Sequence, residues 1–311
     1  YNNGEKGIRI TAYSAGYNNI VHNTITKTTH MGICIGNTHW ENNISYNDVS
    51  DANRTGEDTG VIYVNYQCGG QKVRNNYVHD CIGRFSGFFG IYYDESGSED
   101  GVTENNIVSR MGAQNGKNES GFCAGGLLLK GKVHSIKNNF FVGIESTRAA
   151  LCWENGSFKA TIPQKLSVKN NIIYNKNGNL MQLGGEYSDK TIEYMDKNLY
   201  FSSNGRLGLG APVSSFDAWR RFDNGRFDKN SLTTNPGFMD EENQDYRLRY
   251  DSDAYDIGIR SLDVSVMGAR QKYKYIDKTS PINQVFVKQS GRAKSFSAIN
   301  LKSGENAALE V

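Results

Sequence analysis

Three charged residues stand at the same place in three successive apolar segments: Asp94 closes GIYYD, Lys130 closes GLLLK and Glu154 closes ALCWE. A lysine set between two carboxylates holds one of them ionised and so splits their pKa values. Hydrolysis of a glycosidic bond needs that division, with one protonated carboxyl donating to the leaving oxygen and one ionised carboxylate acting as base or nucleophile. The same carboxylates could instead ligate calcium, and a solvated salt-bridge stripe is the plain structural alternative. Tyr92, two residues before Asp94, could stack on a sugar ring as a flat amphipathic platform. Glu95 and Lys130 beside Asp94 are candidate substrate contacts. Tyr13, His39, Trp40, Tyr66, Phe85, Phe88 and Trp153 also lie at strand ends and in loops, where some could stack on sugar rings and His39 could face ligand. His79, followed by Asp80, could shape a loop or touch substrate, although a lone histidine is more often structural.

These residues belong to a repeat. A small residue followed by alternating apolar positions recurs as GIRI from Gly7, GICI from Gly32, GVIY from Gly60, GIYY from Gly90, GLLL from Gly126 and ALCW from Ala150, with a weaker copy from Met181. Each copy is followed by an asparagine framed by apolar residues: Asn23, Asn47, Asn76, Asn106, Asn139, Asn171 and Asn198. Repeats of roughly 24 to 33 residues, each with two short alternating strands, predict an all-β fold in which a coil buries its face only against its neighbours. The expected architecture is a right-handed parallel β-helix of roughly seven coils. Asparagine at one fixed place per coil suits a tight bend with left-handed backbone, or a ladder from coil to coil. The consensus of a leucine-rich repeat is absent, and a propeller blade needs about 40 residues.

Alternation sends Ile8, Ile10, Ile33, Ile35, Val61, Tyr63, Ile91, Tyr93, Leu127, Leu129, Leu151 and Trp153 inward. The outward columns then read Arg9, Cys34, Ile62, Tyr92, Leu128, Cys152 and Thr11, Gly36, Val64, Asp94, Lys130, Glu154. With coils ~4.8 Å apart, Asp94 and Glu154 stand ~10 Å from each other across two coils. Long connections at 50–59, 79–89 and 109–125 would wall a groove along this face, where an extended polymer could lie.

Lys and Arg total 35 against 33 Asp and Glu, for a formal net charge of +2. Such a balance gives no electrostatic argument for nucleic acid as a partner. No apolar run approaches the ~18 residues of a membrane helix. Five cysteines without CxxC spacing predict neither a zinc site nor a disulfide framework, and leave buried free thiols. The expected organisation is coils over 1–202, a cap with closing strands over 203–270, and over 271–311 a linker with the beginning of an immunoglobulin-like β-sandwich. An intact sandwich needs about 100 residues, so further domains are expected in a longer parent chain.

The segments EDTGVIY (Glu57 to Tyr63), RNNYVHD (Arg74 to Asp80), GIYYDE (Gly90 to Glu95), VHSIKNNFF (Val133 to Phe141) and TTNPGFMDEENQDYRLRYDSDAYDIGI (Thr233 to Ile259) together resemble the secreted, polysaccharide-processing β-helix proteins with pectate-lyase-type coils. Within them the chain resembles the glycoside hydrolase family 141 type over about residues 7 to 269. That resemblance implies a secreted or cell-surface bacterial enzyme acting on a plant or microbial polysaccharide or oligosaccharide, without an obligatory cofactor, and matches its two acidic residues to Asp58 and Asp94. The chain departs from the family in reading Asp94-Glu95 for a double Asp and GVIY for GAIY. Asp58 precedes its strand and Asp94 follows one, so straight strands would leave them roughly 20 Å apart. The pair therefore requires the 50–59 connection to fold back, whereas alternation alone pairs Asp94 with Glu154. Two other functions remain open at this point. One is a polysaccharide lyase using Lys130 or Arg9 as base, and the other is a noncatalytic glycan-binding or adhesin solenoid.

Overall fold

The computed structural model describes residues 7–11, 16–37, 40–65, 68–83, 87–94, 99–113, 125–144, 150–154, 165–175, 180–184, 191–202 and 215–269. Among these the chain winds into a parallel β-helix in which each turn adds one short strand to each of three sheets. Every sheet holds seven strands, paired in parallel with the turns before and after. The first sheet runs from Ile8–Ile10 to Met181–Gly184, the second from Asn19–Val21 to Ile192–Asp196, and the third from Thr24–Thr26 to Leu199–Phe201. The segment 271–311, expected to begin a sandwich, lies outside the described residues. No described helix is long and apolar enough to cross a membrane.

The interior of the first sheet is a stack of apolar side chains: Ile33, Ile62, Ile91, Leu127, Leu151 and Met181 lie in register, all fully buried. The third turn corrects the alternation expected for it. Ile62 pairs with Ile33 and Val64 with Ile35, which turns Tyr63 outward, in line with Cys34 and Tyr92. Gly60 is therefore not the small residue that opens this strand; Val61 occupies that column, opposite Gly32. Close approach explains the glycines that hold this place in four of the turns, at Gly7, Gly32, Gly90 and Gly126. A Cβ on Gly90 would stand 2.3 Å from Val108 Cγ1, and one on Gly126 would stand 2.3 Å from the Ala150 carbonyl oxygen.

The bend from second to third sheet takes two residues. The first is left-handed in every turn, at His22, Tyr46, Asn75, Asn105, Asn138, Asn170 and Lys197, with φ between 52° and 58°. Asparagine occupies four of these seven places because its short side chain tolerates this conformation best among residues with a Cβ. The second residue is the repeating asparagine, and its side chain builds the ladder. Nδ2 of Asn47 donates to Oδ1 of Asn76, Asn76 to Asn106, and Asn106 to Asn139, each at 2.9 Å. Asn23 extends the series below and Asn171 and Asn198 above. The second Nδ2 hydrogen takes a backbone carbonyl, as Asn106 does with Val73 at 2.9 Å. Asp228 ends the ladder by accepting from Asn198 at 3.1 Å, and its carboxylate also accepts from Ser231, Tyr200 and the Trp219 indole.

Asp228 and Trp219 come from the segment after the last turn, expected to be a short helix with loops. It forms the helix Phe216–Arg221, capped by the Ser215 hydroxyl, and buries Phe216, Trp219 and Phe227 in the main core. From there the chain runs back along the third sheet. That sheet is apolar on both faces: Val78, Val108, Phe141, Ile173 and Tyr200 point in, while Tyr77, Ile107, Phe140, Ile172 and Leu199 point out. Tyr246, Leu248, Ala254, Ile257, Ile259 and Leu262 cover the outer row. This strap is pinned by Asn170 to Ile257, by paired bonds between Asn138 and Arg260, and by Gly268 to Tyr46 in the second turn.

Two segments expected to open as loops are strand at their start. Tyr77–Gly83 and Ile107–Ala113 stay paired through Gly83 and Ala113. Four cysteines, Cys34, Cys68, Cys81 and Cys152, are buried free thiols, and Cys123 lies outside the described residues. Burial pushes the Cys81 thiol up to about 12.

Candidate functional site

Asp94 sits at the C-terminal end of the fourth strand of the first sheet, pointing away from the core. Its Oδ1 accepts from Lys130 Nζ at 2.8 Å, one turn above, and its Oδ2 accepts from the Tyr63 hydroxyl at 2.5 Å, one turn below. Asn65 Nδ2 donates to the same Tyr63 hydroxyl at 3.1 Å. The Tyr92 hydroxyl donates to Asp58 Oδ1 at 3.1 Å and lies close enough to the Asp94 carboxylate to help hold it ionised. Two carboxylates this close to one hydroxyl have their nearest oxygens within about 7 Å of each other. The separation expected from straight strands is therefore bridged. Asp58 takes a left-handed backbone, φ 44°, just before its strand begins at Thr59, and Tyr92 reaches back to meet it.

The aromatic packing is tight. Tyr92 makes edge contacts with Tyr63 and Phe89, with ring centroids 5.2 and 5.4 Å away, and Lys130 Nζ lies 5.1 Å from its ring centre. Met31, Cys34, Leu128 and Cys152 complete this outward-facing cluster, which is buried. Tyr92 thus points outward as alternation requires yet has no exposed surface. Its ring is packed on both sides, and its hydroxyl is what it brings to the site. Gly60 makes room for it, since a Cβ there would stand 2.8 Å from Tyr92 Cβ.

Burial pulls the Asp94 carboxyl up, but the hydrogen bonds from Lys130 and Tyr63, the Lys130 charge and the Tyr92 hydroxyl together hold it below the ordinary aspartate range. The phenols move the other way. Desolvation and the neighbouring Asp94 and Asp58 charges push Tyr63 and Tyr92 far above the normal tyrosine range, so both remain proton donors. Chemically, the cluster presents one buried carboxylate held below the ordinary aspartate range and one exposed carboxylate, linked by a phenol pushed far above the ordinary tyrosine range.

Of the other candidates, Glu154 closes the strand Leu151–Glu154, two turns above Asp94 in the same outward column, with its side chain outside the described residues. Glu95 and His39 also lie outside them. His79 is on the third sheet, away from this face. There its Nε2 meets Asp48 at 2.9 Å and its Nδ1 meets Asp80 at 2.7 Å, the ring stacks on Tyr77, and Arg110 pairs with Asp80. Tyr63 and Asn65 are the site residues that sequence reasoning missed, for one reason. Anchoring the third turn on Gly60 instead of on the Ile62 and Val64 pair shifts its register by one residue, and a one-residue slip sends every side chain to the opposite face. Among the described residues no group of three or more His, Cys, Asp or Glu side chains is arranged to hold a metal ion. Calcium does not fit Asp94, whose two oxygens already serve Lys130 and Tyr63. Compared with protein-family models, with curated proteins and with solved structures, the chain finds no match.

Proposed function

We propose that this chain is a glycoside hydrolase of the family 141 type, acting on a polysaccharide or oligosaccharide along the outward face of the first sheet. The observation that carries this reading is the convergence of Asp58 and Asp94 on the Tyr92 hydroxyl. The two residues that the motif resemblance selects, and that strand geometry would have separated, lie within the span of a hydrolytic carboxylate pair. Asp94, held ionised by Lys130, is the base or nucleophile. Asp58, exposed to solvent, is its partner toward the leaving oxygen. The lyase reading is less favoured, since Lys130, one of its two candidate bases, is ion-paired to Asp94. An extracellular or cell-surface setting follows from such a substrate.

The near-complete burial of Asp94 and Tyr92 favours a second reading, in which the cluster clamps three turns of a noncatalytic solenoid together. Sugar release from a panel of plant and microbial glycans decides between them. In a hydrolase, Asp94→Asn folds and loses at least about a thousandfold in turnover. Asp58→Asn falls similarly and Glu154→Gln little. A wild-type protein that releases nothing from the panel, with Asp94→Asn merely lowering the melting temperature, rejects the hydrolase and leaves the clamp.

A further inference from the structure

Trp40 lies at the turn that follows the second strand of the first sheet, and it is 45 % exposed. Large apolar side chains exposed singly are common, so exposure alone says nothing. What sets Trp40 apart is how it is seated. Its six-membered ring rests on the backbone of Gly69 in the next turn, so closely that a Cβ there would meet Cζ3 at 2.5 Å, Cε3 at 2.6 Å and Cη2 at 2.9 Å. Only glycine leaves room for the indole. The backbone on either side is tied to its neighbours: Glu41 N–H donates to Gly69 at 3.1 Å and Gly70 N–H to Glu99 at 2.8 Å. The ring is held in place on one side and open on the other.

Polar groups flank it. Glu41, the next residue, pairs with Lys72 at 3.1 Å, and both side chains are partly exposed. Two turns above, Glu99 pairs with Lys132 at 2.7 Å. One turn below, Tyr17 is 73 % exposed, and its N–H donates to the Trp40 carbonyl at 3.1 Å. Tyr17 aligns with Glu41, one residue beyond the Trp40 column, and carboxylate and ammonium groups lie alongside the indole. An apolar flat face bordered by such donors and acceptors matches the alternating C–H face and hydroxyl rim of a pyranose. Trp40 also lies on the edge where the first-sheet strands end, the edge that carries Asn65, Asp94 and Lys130, two turns or about 10 Å below Asp94 along the axis.

We propose that Trp40, seated on Gly69, is a stacking subsite for a neutral pyranose ring of a glycan running along the solenoid axis. It deepens the carbohydrate reading given above but does not depend on which carboxylates react. Binding of xylohexaose, cellohexaose and laminarihexaose is measured by calorimetry on the folded Asp94→Asn protein, which keeps any hexaose intact. At least one hexaose binds, Trp40→Ala weakens it fivefold or more, Trp40→Phe restores most of the affinity, and Gly69→Ala weakens it by dislodging the ring while leaving the indole present. Bound hexaose also shields Trp40 fluorescence from acrylamide. Unchanged affinity in Trp40→Ala, or no binding of any of the three sugars, overturns the subsite. Trp40-dependent binding together with parental sugar release by Asp94→Asn would sink only the catalytic pair. Lost turnover in Asp94→Asn with unaltered binding in Trp40→Ala would sink only the subsite.

Discussion

Tyr63 and Lys130 each occupy one oxygen of Asp94, so removing either must raise the Asp94 pKa. If Asp94 works ionised, the acidic limb of the pH–rate profile moves to higher pH. The expected shift is about half to one unit in Tyr63→Phe and about one to two units in Lys130→Met, and an unmoved limb in both would remove Asp94 from that role. The same depressed pKa has a stability consequence. Asp94 stabilises the fold above the pKa of an unfolded aspartate, about 4, and that contribution is lost as pH falls through the lower folded value. Wild type and Asp94→Asn should therefore differ in melting temperature at pH 7, and the difference should shrink as pH falls below the range of an unfolded aspartate. Asp94, Lys130 and Tyr92 were legible because they end or interrupt apolar runs at matching places. Tyr63 was not, because TGVIYVN alternates acceptably in either register and only pairing with the neighbouring turns decides.

The asparagine ladder shows how far a repeating element can be read, and where reading stops. Its position and stacking followed from spacing alone. Its two-residue construction, with the left-handed residue preceding the ladder residue, appears only in the backbone. Each ladder amide donates toward the following turn, so the aligned dipoles place their positive end at the last turn, where Asp228 supplies a carboxylate. Burial pushes Asp228 above the usual range, and its four side-chain donors oppose that. No periodicity announces Asp228, since it occurs once. Asn106→Ala leaves the Asn76 amide and backbone N–H without an acceptor and frees the Val73 carbonyl. The expected cost is about 3 kcal/mol in urea unfolding. A loss under about 1 kcal/mol would mean that water replaces the ladder.

The strap gives the whole molecule a property that a bare solenoid lacks. A stack of turns touching only neighbours can fray from either end, yet here residues 236–269 bind turns far apart in sequence. The sequence carried a sign of this: the apolar pairs after five of the seven asparagines, as in NNFF and NNII, mark strands buried on both faces. It did not say what would cover the outer row, because the strap itself has no repeat. The Gly268 amide, bonded to Tyr46 at 2.7 Å, should exchange slowly with deuterium. Tyr246→Ala, which removes a ring from the covering strap and the Arg110 contact, should speed that exchange about tenfold or more. Equal rates would show that the strap's end docks independently of its middle.

The same strap fixes a schedule. The Ala269 amide donates to Thr24 Oγ1 across 245 residues of chain, so at about 5 to 20 residues per second the first turns wait roughly ten to fifty seconds of synthesis for that partner. Throughout that interval Tyr77, Ile107, Phe140 and Ile172 emerge as an uncovered apolar row on a growing stack. The nascent chain passes through a state in which its core is finished and its flank is adhesive, and the hazard ends only when the strap, made after all the turns, arrives to cover that flank.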